Sequence, residues 1–250
     1  MKSGLRDLMR ANPNARFLKN FLSSLKREKN SPHHSLTIAI DSNSIECVLD
    51  VGANVGQFGV DLRLHGYTGK IISFEPVQQY FEKLDRNSKK DALWEARQLA
   101  LGNRETKADI YISGNSGLSN SLLPMKNSHL DNFPNSKVIA TETVEISTLD
   151  ALLPTIGTAP SRCLLKIDAQ GYEFNILRGA EKSLKDIPVC YLEVSLVQLY
   201  DGEASFLSIL ELLKDSNHEL VNVFRGIESK SGQLLQLDIL TNNKSCLQTS

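Results

Sequence analysis

The chain has 250 residues, with 28 lysine and arginine side chains against 29 aspartate and glutamate, which leaves a net charge of −1. Hydrophobic residues make up 41% of the chain and charged residues 23%, so it can bury the core of one large domain or two small ones. This composition excludes a disordered or collagen-like polymer, and the balanced charge excludes a protein with a global nucleic-acid-binding surface.

The cysteines and the N-terminal sequence indicate the cellular compartment. The four cysteines are far apart and lack a CxxC pair or adjoining histidines, so they indicate neither a zinc site nor a disulfide framework, and we expect three to be buried thiols. No apolar run is long enough to span a membrane, and the N-terminus lacks the features of a secretory signal. These observations predict a cytoplasmic protein.

Residues 1–30 are basic, with eight lysines and arginines against two acidic side chains. Apolar residues recur there at helical spacing after Pro13: Phe17, Leu18, Phe21, Leu22 and Leu25. The pattern predicts an amphipathic helix that either docks on the rest of the protein or contacts an acidic membrane surface or a partner. Residues 30–36 are predicted to form a linker, so we divide the chain into an extension with its linker, 1–35, and a main domain, 36–250.

Short β-rich runs alternate with amphipathic helical segments along the main domain. The predicted strands are SIECVLDVG, GKIISFEP, EARQLALGN, RCLLKIDAQG, VCYLEVS, ELVNVFR and LLQLDILT. The clearest helical segments are residues 55–66, 76–89, 172–186 and 203–215. Several strands are nearly continuous apolar runs, as in a parallel sheet covered on both faces, so the sequence predicts a doubly wound α/β domain.

Residues 105–148 differ in character from their surroundings. The alternating stretches ADIYIS and TVEIST predict an antiparallel β insertion. Between them lies the polar segment 114–136, rich in Asn, Ser, Gly and Pro. It is either a substrate-binding loop at the edge of the sheet or a disordered surface loop.

A glycine-rich turn, VLDVGANVGQF, connects the first predicted strand to a helix. Small residues there let the backbone approach a ligand, and a helix N-terminus directs backbone N–H groups outward. The dinucleotide fingerprint would need glycines at 52, 54 and 57, but positions 54 and 57 are Asn54 and Gln57, which disfavours a nicotinamide cofactor. A P-loop is also absent from the sequence, so nucleotide hydrolysis is not expected.

Glu75 ends the next predicted strand, 25 residues after Asp50. A carboxylate at that edge of the sheet can accept hydrogen bonds from both ribose hydroxyls, although it could also be a solvated strand cap. A glycine turn paired with this acid, with nothing to bind a pyrophosphate, predicts a site for S-adenosylmethionine.

The motifs DVGANVGQF, FEP, LALGN, STLD, LLKIDAQGYEFNILRGAEKSL and YLEVS, in this order, resemble the FkbM family of S-adenosylmethionine-dependent methyltransferases over roughly residues 45–240. The resemblance implies a class I methyltransferase (Rossmann-like) fold, with a mostly parallel seven-stranded sheet whose last strand is antiparallel. It also implies methyl transfer to a hydroxyl of a small acceptor, a saccharide or glycan precursor, or else a polyketide or other natural product.

The resemblance carries cofactor roles to individual positions. The methionine end is implied to lie on the glycine turn and the start of the following helix, at Asp50, Gly52, Ala53, Asn54, Gly56, Gln57 and Phe58. Glu75, followed by Pro76, is implied to take the ribose. Ala100, Leu101 and Gly102 would border the adenine.

The segment LLKIDAQGYE is predicted to carry the reacting end of the site, with Lys166, Asp168 and Gln170 directed to the edge of the sheet where Asp50 lies. Asp168 could be the general base, contact the cofactor's amino group, or form an ion pair with Lys166. Many relatives have glutamate where this chain has Gln170, and a glutamine cannot take a proton at neutral pH. Glu173 is a second candidate base, or else an acid favoured at a helix start, and Glu193 is a reserve.

Acceptor contacts are predicted at Ser119, Asn120, Ser121, Gln170 and Glu193, although the three loop residues could equally form a turn. The histidines form no metal-binding spacing and are expected at the surface or in packing positions. Gly179 and Ala180 are expected to serve close packing.

Three functions are compatible with the sequence. The first is an S-adenosylmethionine-dependent O-methyltransferase, which needs no metal. The second is a cofactor-binding module of the same fold without catalysis, suggested by Gln170. The third, already disfavoured, is a nicotinamide-dependent oxidoreductase.

Overall fold

A computed structural model describes residues 32–246. The predicted amphipathic helix at the N-terminus lies outside the described residues. Within the described range, no helix is both long enough and apolar enough to span a lipid bilayer.

The first described element is helix α1 (Pro32–Ser42). The linker predicted over residues 30–36 is therefore wrong for residues 32–36, which begin this helix. A proline suits the first helical turn, and the buried side chains of Leu36, Ala39 and Ile40 lie on one face of the helix. That apolar face packs against the sheet, so the boundary set at residue 36 falls inside a helix of the domain.

A seven-stranded sheet forms the centre of the molecule, in the order β3-β2-β1-β7-β8-β10-β9. Its strands are β1 (Cys47–Val51), β2 (Lys70–Phe74), β3 (Trp94–Arg97), β7 (Cys163–Ile167), β8 (Val189–Ser195), β9 (His218–Arg225) and β10 (Gln236–Asn243). The last strand, β10, is antiparallel to both of its neighbours, and the pairs from β3 to β8 are parallel. The predicted class I methyltransferase fold is confirmed.

The other α-helices are α2 (Gln57–Leu64), α3 (Gln78–Ser88), α4 (Asn127–Asn132), α5 (Leu149–Ile156), α6 (Glu173–Arg178) and α7 (Phe206–Asp215). Short 3₁₀ turns follow at Pro134–Ser136, Pro160–Arg162 and Ser183–Lys185. The helix predicted over 172–186 is thus much shorter. Its continuation is replaced by a turn because the Asp150 carboxylate accepts hydrogen bonds from the backbone N–H groups of Lys182 and Ser183.

Gly179, just after α6, serves close packing as predicted. A Cβ atom there would lie 1.9 Å from the backbone oxygen of Gly102. The end of α6 therefore contacts the loop at Gly102, beside the predicted adenine site, and this contact requires a glycine at position 179.

The predicted insertion forms a second sheet of three strands, in the order β4-β6-β5. It consists of β4 (Ala100–Leu101), β5 (Thr106–Ser113) and β6 (Val138–Ser147), with β5 and β6 antiparallel. The single strand predicted over EARQLALGN is divided between the two sheets, since β3 pairs with β2 while β4 pairs with β6. This division places the chain around Ala100 where the two sheets meet.

Burial of the central strands agrees with their sequence. Cys47, Cys163 and Cys190 are buried free thiols, as expected. One apolar cluster fills the side of the sheet that packs against α5, α6 and α7, and a second lies under α1 and α2. The sheet is therefore covered on both faces, as a parallel sheet requires.

His129, in α4, is a buried histidine whose ring nitrogens have no hydrogen-bond partner within the described part of the chain. Its ring lies between those of Phe133 and Tyr200, and burial lowers the pKa of His129 to about 4. We expect His129→Phe to raise the free energy of unfolding by about 1 kcal/mol, because the ring is kept and the desolvated nitrogens are removed. Urea denaturation followed by circular dichroism measures this.

The matched control is His218→Phe. His218 is also buried, but its ring nitrogens lie 3.0 Å from Thr241 Oγ1 and 3.0 Å from the backbone oxygen of Leu184. Its replacement should lower the free energy of unfolding by about 1–3 kcal/mol, since these partners lose their hydrogen bonds. Equal effects of the two substitutions would contradict the assignment of His129 as an unpaired group.

Candidate functional site

The glycine turn between β1 and α2 lies at the carboxyl edge of the main sheet. Gly52 has φ +73°, and a Cβ atom on it would lie 1.8 Å from the backbone oxygen of Asp168. Any side chain at position 52 would therefore collide with the end of β7. The turn brings β1 and β7 together where the sequence predicted a ligand.

Backbone N–H groups in this turn are used within the protein, contrary to the expectation that they point outward. Those of Gly52 and Ala53 donate to the backbone oxygen of Phe74 at 3.1 and 3.0 Å. The N–H of Asn54 donates to Glu75 Oε2 at 2.9 Å. The reason is the close approach of β2, whose end accepts these hydrogen bonds.

Asp50 and Lys166 form a buried ion pair beneath the turn. Lys166 Nζ lies 3.0 Å from Asp50 Oδ1 and donates to the backbone oxygens of Val51 and Gly52, both at 3.2 Å. Asp50 Oδ2 accepts from the Ser73 hydroxyl at 2.9 Å. Despite burial, the negative charge of Asp50 keeps the pKa of Lys166 above its usual value.

This pair corrects three sequence-based expectations. Asp50 is fully buried and does not face a ligand. The Lys166 ammonium is occupied by protein oxygens, which leaves it no catalytic role. Its hydrogen-bonded carboxylate partner is Asp50 rather than Asp168, because β1 and β7 are direct neighbours with Asp50 and Lys166 in register.

A cleft lies between the carboxyl ends of β1, β2 and β7 and the insertion segment 110–122. Most of the predicted cofactor and acceptor residues line it: Gly52, Asn54, Glu75, Pro76, Ala100, Leu101, Asn120, Ser121, Asp168 and Gln170. It also has an apolar wall that the sequence analysis missed, made of Leu99, Ile110, Leu118, Tyr172 and Ile176. The cleft is therefore lined by both polar and apolar side chains.

Four residues of the glycine-turn motif and its helix lie away from the cleft walls. Ala53 is buried in the core, and Gly56 packs against the ring of Trp94. Gln57 accepts a hydrogen bond from the backbone N–H of Val55 at 3.2 Å. Phe58 lies on the side of α2 that faces α1. Ala53, Gly56, Gln57 and Phe58 do not line the cleft, so the cleft gives no support to cofactor contacts at these positions.

Glu75 lines the cleft and is held by backbone N–H groups. Its Oε2 accepts from Asn54 at 2.9 Å and its Oε1 accepts from Val77 at 3.0 Å. Burial raises the pKa of Glu75 to about 7, although these two hydrogen bonds act in the opposite direction. The carboxyl group is therefore fixed in position at the end of β2.

Gln170 joins two acids, Asp168 just after β7 and Glu193 within β8. Its Nε2 donates to Asp168 Oδ1 at 2.9 Å and to Glu193 Oε2 at 2.6 Å. The hydroxyl of Tyr200 donates to Gln170 Oε1 at 3.0 Å, and that of Ser121 donates to the backbone oxygen of Gln170 at 2.7 Å. The Gln170 amide is thus fully engaged within the protein, so its predicted role as a direct acceptor contact is not supported.

Glu173 has a structural role in the same turn. Its Oε1 accepts from the backbone N–H groups of Ala169 at 2.9 Å and Gly171 at 3.1 Å. The side chain is buried, and this burial raises the pKa of Glu173 to about 8. A group so enclosed does not reach the cleft, which removes Glu173 as a candidate base.

The polar segment of the insertion is hydrogen-bonded rather than loose. Asn120 Oδ1 accepts from the backbone N–H of Ser113 at 2.9 Å, and Asn115 Nδ2 donates to the buried Ser119 at 2.9 Å. Asn54 Nδ2 donates to the backbone oxygen of Ser116 at 3.2 Å. The segment is therefore a formed wall of the cleft, and Ser119 is one of its turn residues.

Three residues near Asp168 and Glu193 were not predicted from the sequence: Tyr200, Gln236 and Asp238. Tyr200 contacts Gln170, Gln236 contacts Glu193, and Asp238 is in register with Glu193. They could not be predicted because they are distant in sequence from the motif LLKIDAQGYE. No motif in the sequence marks these three residues.

Comparisons with known proteins find similar methyltransferases. A family model, the methyltransferase FkbM domain, matches residues 50–220. The 2-O-methyltransferase NoeI of Sinorhizobium fredii is 25% identical over 219 residues, which cover 84% of this chain and 88% of that protein. Methyltransferase 1 of Beauveria bassiana is 25% identical over 182 residues, which cover 67% of this chain and 70% of that protein.

One similar solved structure is fibrillarin from Aeropyrum pernix with natively bound S-adenosyl-L-methionine. Its TM-score is 0.44 at 12% identity, over 83% of this chain and 74% of that one. The family model, by contrast, spans more than half of the chain and sets aside the nicotinamide-dependent and non-catalytic alternatives. The chain therefore belongs to the FkbM family of S-adenosylmethionine-dependent methyltransferases.

Proposed function

We propose that this methyltransferase acts on a hydroxyl oxygen of a small acceptor, a saccharide or a glycan precursor. The observation that carries the proposal is the position of Asp168, which lies at the end of β7 beside Gly52 and lines the same cleft as Glu75. A carboxylate there can accept the proton of an alcohol. The similarity to NoeI, a 2-O-methyltransferase, supports oxygen as the receiving atom.

The proposed orientation of the cofactor follows from the polar and apolar residues that line the cleft. Glu75 would accept hydrogen bonds from the ribose hydroxyls, and the apolar wall that includes Leu101 and Tyr172 would border the adenine. The methionine end would lie beside the glycine turn, where Gly52 and Asp168 line the cleft. When bound, S-adenosylmethionine supplies a sulfonium-activated methyl group.

Asp168 is proposed as the general base. Gln170 Nε2 holds its Oδ1, while no protein donor among residues 32–246 reaches its Oδ2. The second oxygen can therefore accept the acceptor's hydroxyl proton. Alignment of that hydroxyl with the methyl group supplies the rest of the rate enhancement expected from the protein.

Parallel titration calorimetry with S-adenosylmethionine, S-adenosylhomocysteine and NAD tests the cofactor site, and an assay of S-adenosylhomocysteine formation with saccharide acceptors tests the reaction. We expect the two sulfur compounds to bind and NAD not to bind. Methyl transfer only to a nitrogen or carbon atom of any acceptor would contradict the proposed hydroxyl chemistry.

The ionisation of Glu75 predicts a pH dependence of cofactor binding. An ionised carboxylate is the stronger acceptor for ribose hydroxyls, so affinity for S-adenosylhomocysteine should fall as the pH drops below about 7, approaching tenfold per pH unit. Calorimetry between about pH 5.5 and about pH 8 measures this change. Glu75→Gln should bind more weakly at high pH and show a flat profile, whereas a flat wild-type profile would remove the ribose assignment.

A further inference from the structure

Three acids lie side by side on neighbouring strands near the cleft. Asp168 follows β7 one residue beyond the pair formed by Ile167 and Leu192, and Glu193 is the next residue on β8. Asp238 on β10 is in register with Glu193. Paired residues on neighbouring strands point to the same face of a sheet, so these acids lie on one face.

The three acids are not equivalent, because their hydrogen-bond partners differ. Asp238 Oδ2 accepts from the Tyr191 hydroxyl at 2.9 Å, and among the described residues Gln170 donates to the other two acids but not to Asp238. Glu193 Oε2 accepts from both Gln170 and Gln236, at 2.6 and 2.8 Å. No donor among the described residues reaches Glu193 Oε1, which is not fully enclosed either.

Asp168 and Glu193 therefore each keep one carboxylate oxygen without a protein partner, while the same Gln170 amide holds the other oxygen of each. The Tyr200 hydroxyl fixes the direction of that amide by donating to its oxygen. A glutamate at position 170 could not donate to both acids, which gives a physical reason for glutamine there.

We propose that Asp168 and Glu193, spaced by Gln170, bind two neighbouring hydroxyl groups, so that the acceptor is a vicinal diol. This inference rests on the proposed O-methyl transfer and names its substrate class. The hydroxyl on Asp168 is the one methylated, since Asp168 lines the cofactor cleft, and Glu193 binds the hydroxyl beside it.

The chemistry balances with the partners already named. The bond between the acceptor oxygen and the methyl carbon forms as the bond between carbon and sulfur breaks. The hydroxyl proton passes to Asp168 and then to water. The products are a methyl ether, S-adenosylhomocysteine and one proton. Glu193 stays outside the bond changes and acts as a specificity residue.

The test uses methyl pyranosides of the manno, galacto and gluco series, each compared with its 3-deoxy analogue, which retains no vicinal diol. Saturation-transfer NMR measures their binding to the complex of the protein with S-adenosylhomocysteine. We expect at least one parent glycoside to bind and its 3-deoxy analogue to bind about 2- to 10-fold more weakly, because one hydrogen bond is lost.

By analogy with the 2-O-methyltransferase NoeI, we place the 2-hydroxyl on Asp168 and the 3-hydroxyl on Glu193. Glu193→Gln should then weaken binding of the parent glycoside by a similar factor and leave binding of the 3-deoxy analogue unchanged, because the hydroxyl that Glu193 binds is missing from the analogue. Glu211→Gln, on the exposed surface of α7, is the matched control and should change neither. Equal weakening of both ligands by Glu193→Gln, or equal binding of parent and 3-deoxy glycosides, would overturn the proposal.

Gln170→Glu tests the spacing role through a pH profile. Asp168 and Glu193 contact Gln170 directly, and Asp238, Glu173 and Lys166 act electrostatically on Glu193. A third carboxylate repels the pair at high pH, whereas its protonated form donates a hydrogen bond, so the variant should gain glycoside affinity relative to wild type as the pH falls. If the ratio of the variant's glycoside affinity to that of the wild type did not change with pH, the spacing role of Gln170 would be overturned.

Failure of this inference can be separated from failure of the proposed function. Absence of glycoside binding, together with normal S-adenosylhomocysteine binding and methyl transfer to an alcohol that has a single hydroxyl, overturns the diol and leaves O-methylation standing. Absence of methyl transfer to any hydroxyl overturns both.

Discussion

Lys166→Met is expected to lower the free energy of unfolding by about 3–5 kcal/mol. The substitution keeps the length of the side chain but leaves the Asp50 carboxylate, which is fully buried, without its cation 3.0 Å away. The backbone oxygens of Val51 and Gly52 lose a hydrogen-bond donor at the same time. Urea denaturation with linear extrapolation measures the loss.

Two controls separate the buried pair from a general effect of removing a lysine. Lys89→Met removes an exposed partner of Asp85 on α3 and should change stability by less than about 0.5 kcal/mol. The double variant Asp50→Asn with Lys166→Met should recover part of the loss, since no unpaired charge remains buried. If Lys166→Met were as stable as wild type, the ion pair would not hold the glycine turn.

Asp168→Asn is expected to reduce kcat by about 10²- to 10⁴-fold, the range typical of a general base. The asparagine oxygen can still accept the hydrogen bond from Gln170, so the shape of the site is kept while the proton acceptor is removed. Affinity for S-adenosylhomocysteine should change by less than about twofold. Single-turnover kinetics with an acceptor from the saccharide assay, together with calorimetry, measure both quantities.

Asp201→Asn is the control for this substitution, because Asp201 is an exposed aspartate outside the cleft. It should leave kcat unchanged. If Asp168→Asn instead weakened cofactor binding and kept the parent rate, Asp168 would contact the cofactor's amino group, the alternative that the sequence left open.

Much of the fold could be predicted because local patterns carry it. The apolar strands, their order and the helices between them identify a parallel sheet, and carboxyl ends of parallel strands meet at one edge. Strand direction alone therefore predicts that Gly52, Glu75 and Asp168 lie close together at that edge. Element ends were less predictable: α6 stops early because Asp150, from a separate helix, holds the following turn.

The sequence by itself determined the fold class, the cofactor and the sheet edge where the site lies, because each depends on short motifs and on strand direction. Only the tertiary structure decided which polar groups remain available for ligands. Lys166 is taken by Asp50 and Glu173 by two backbone N–H groups, whereas Asp168 and Glu193 each keep one oxygen without a protein partner. Availability depends on partners distant in sequence, and packing alone brings these partners within hydrogen-bonding distance.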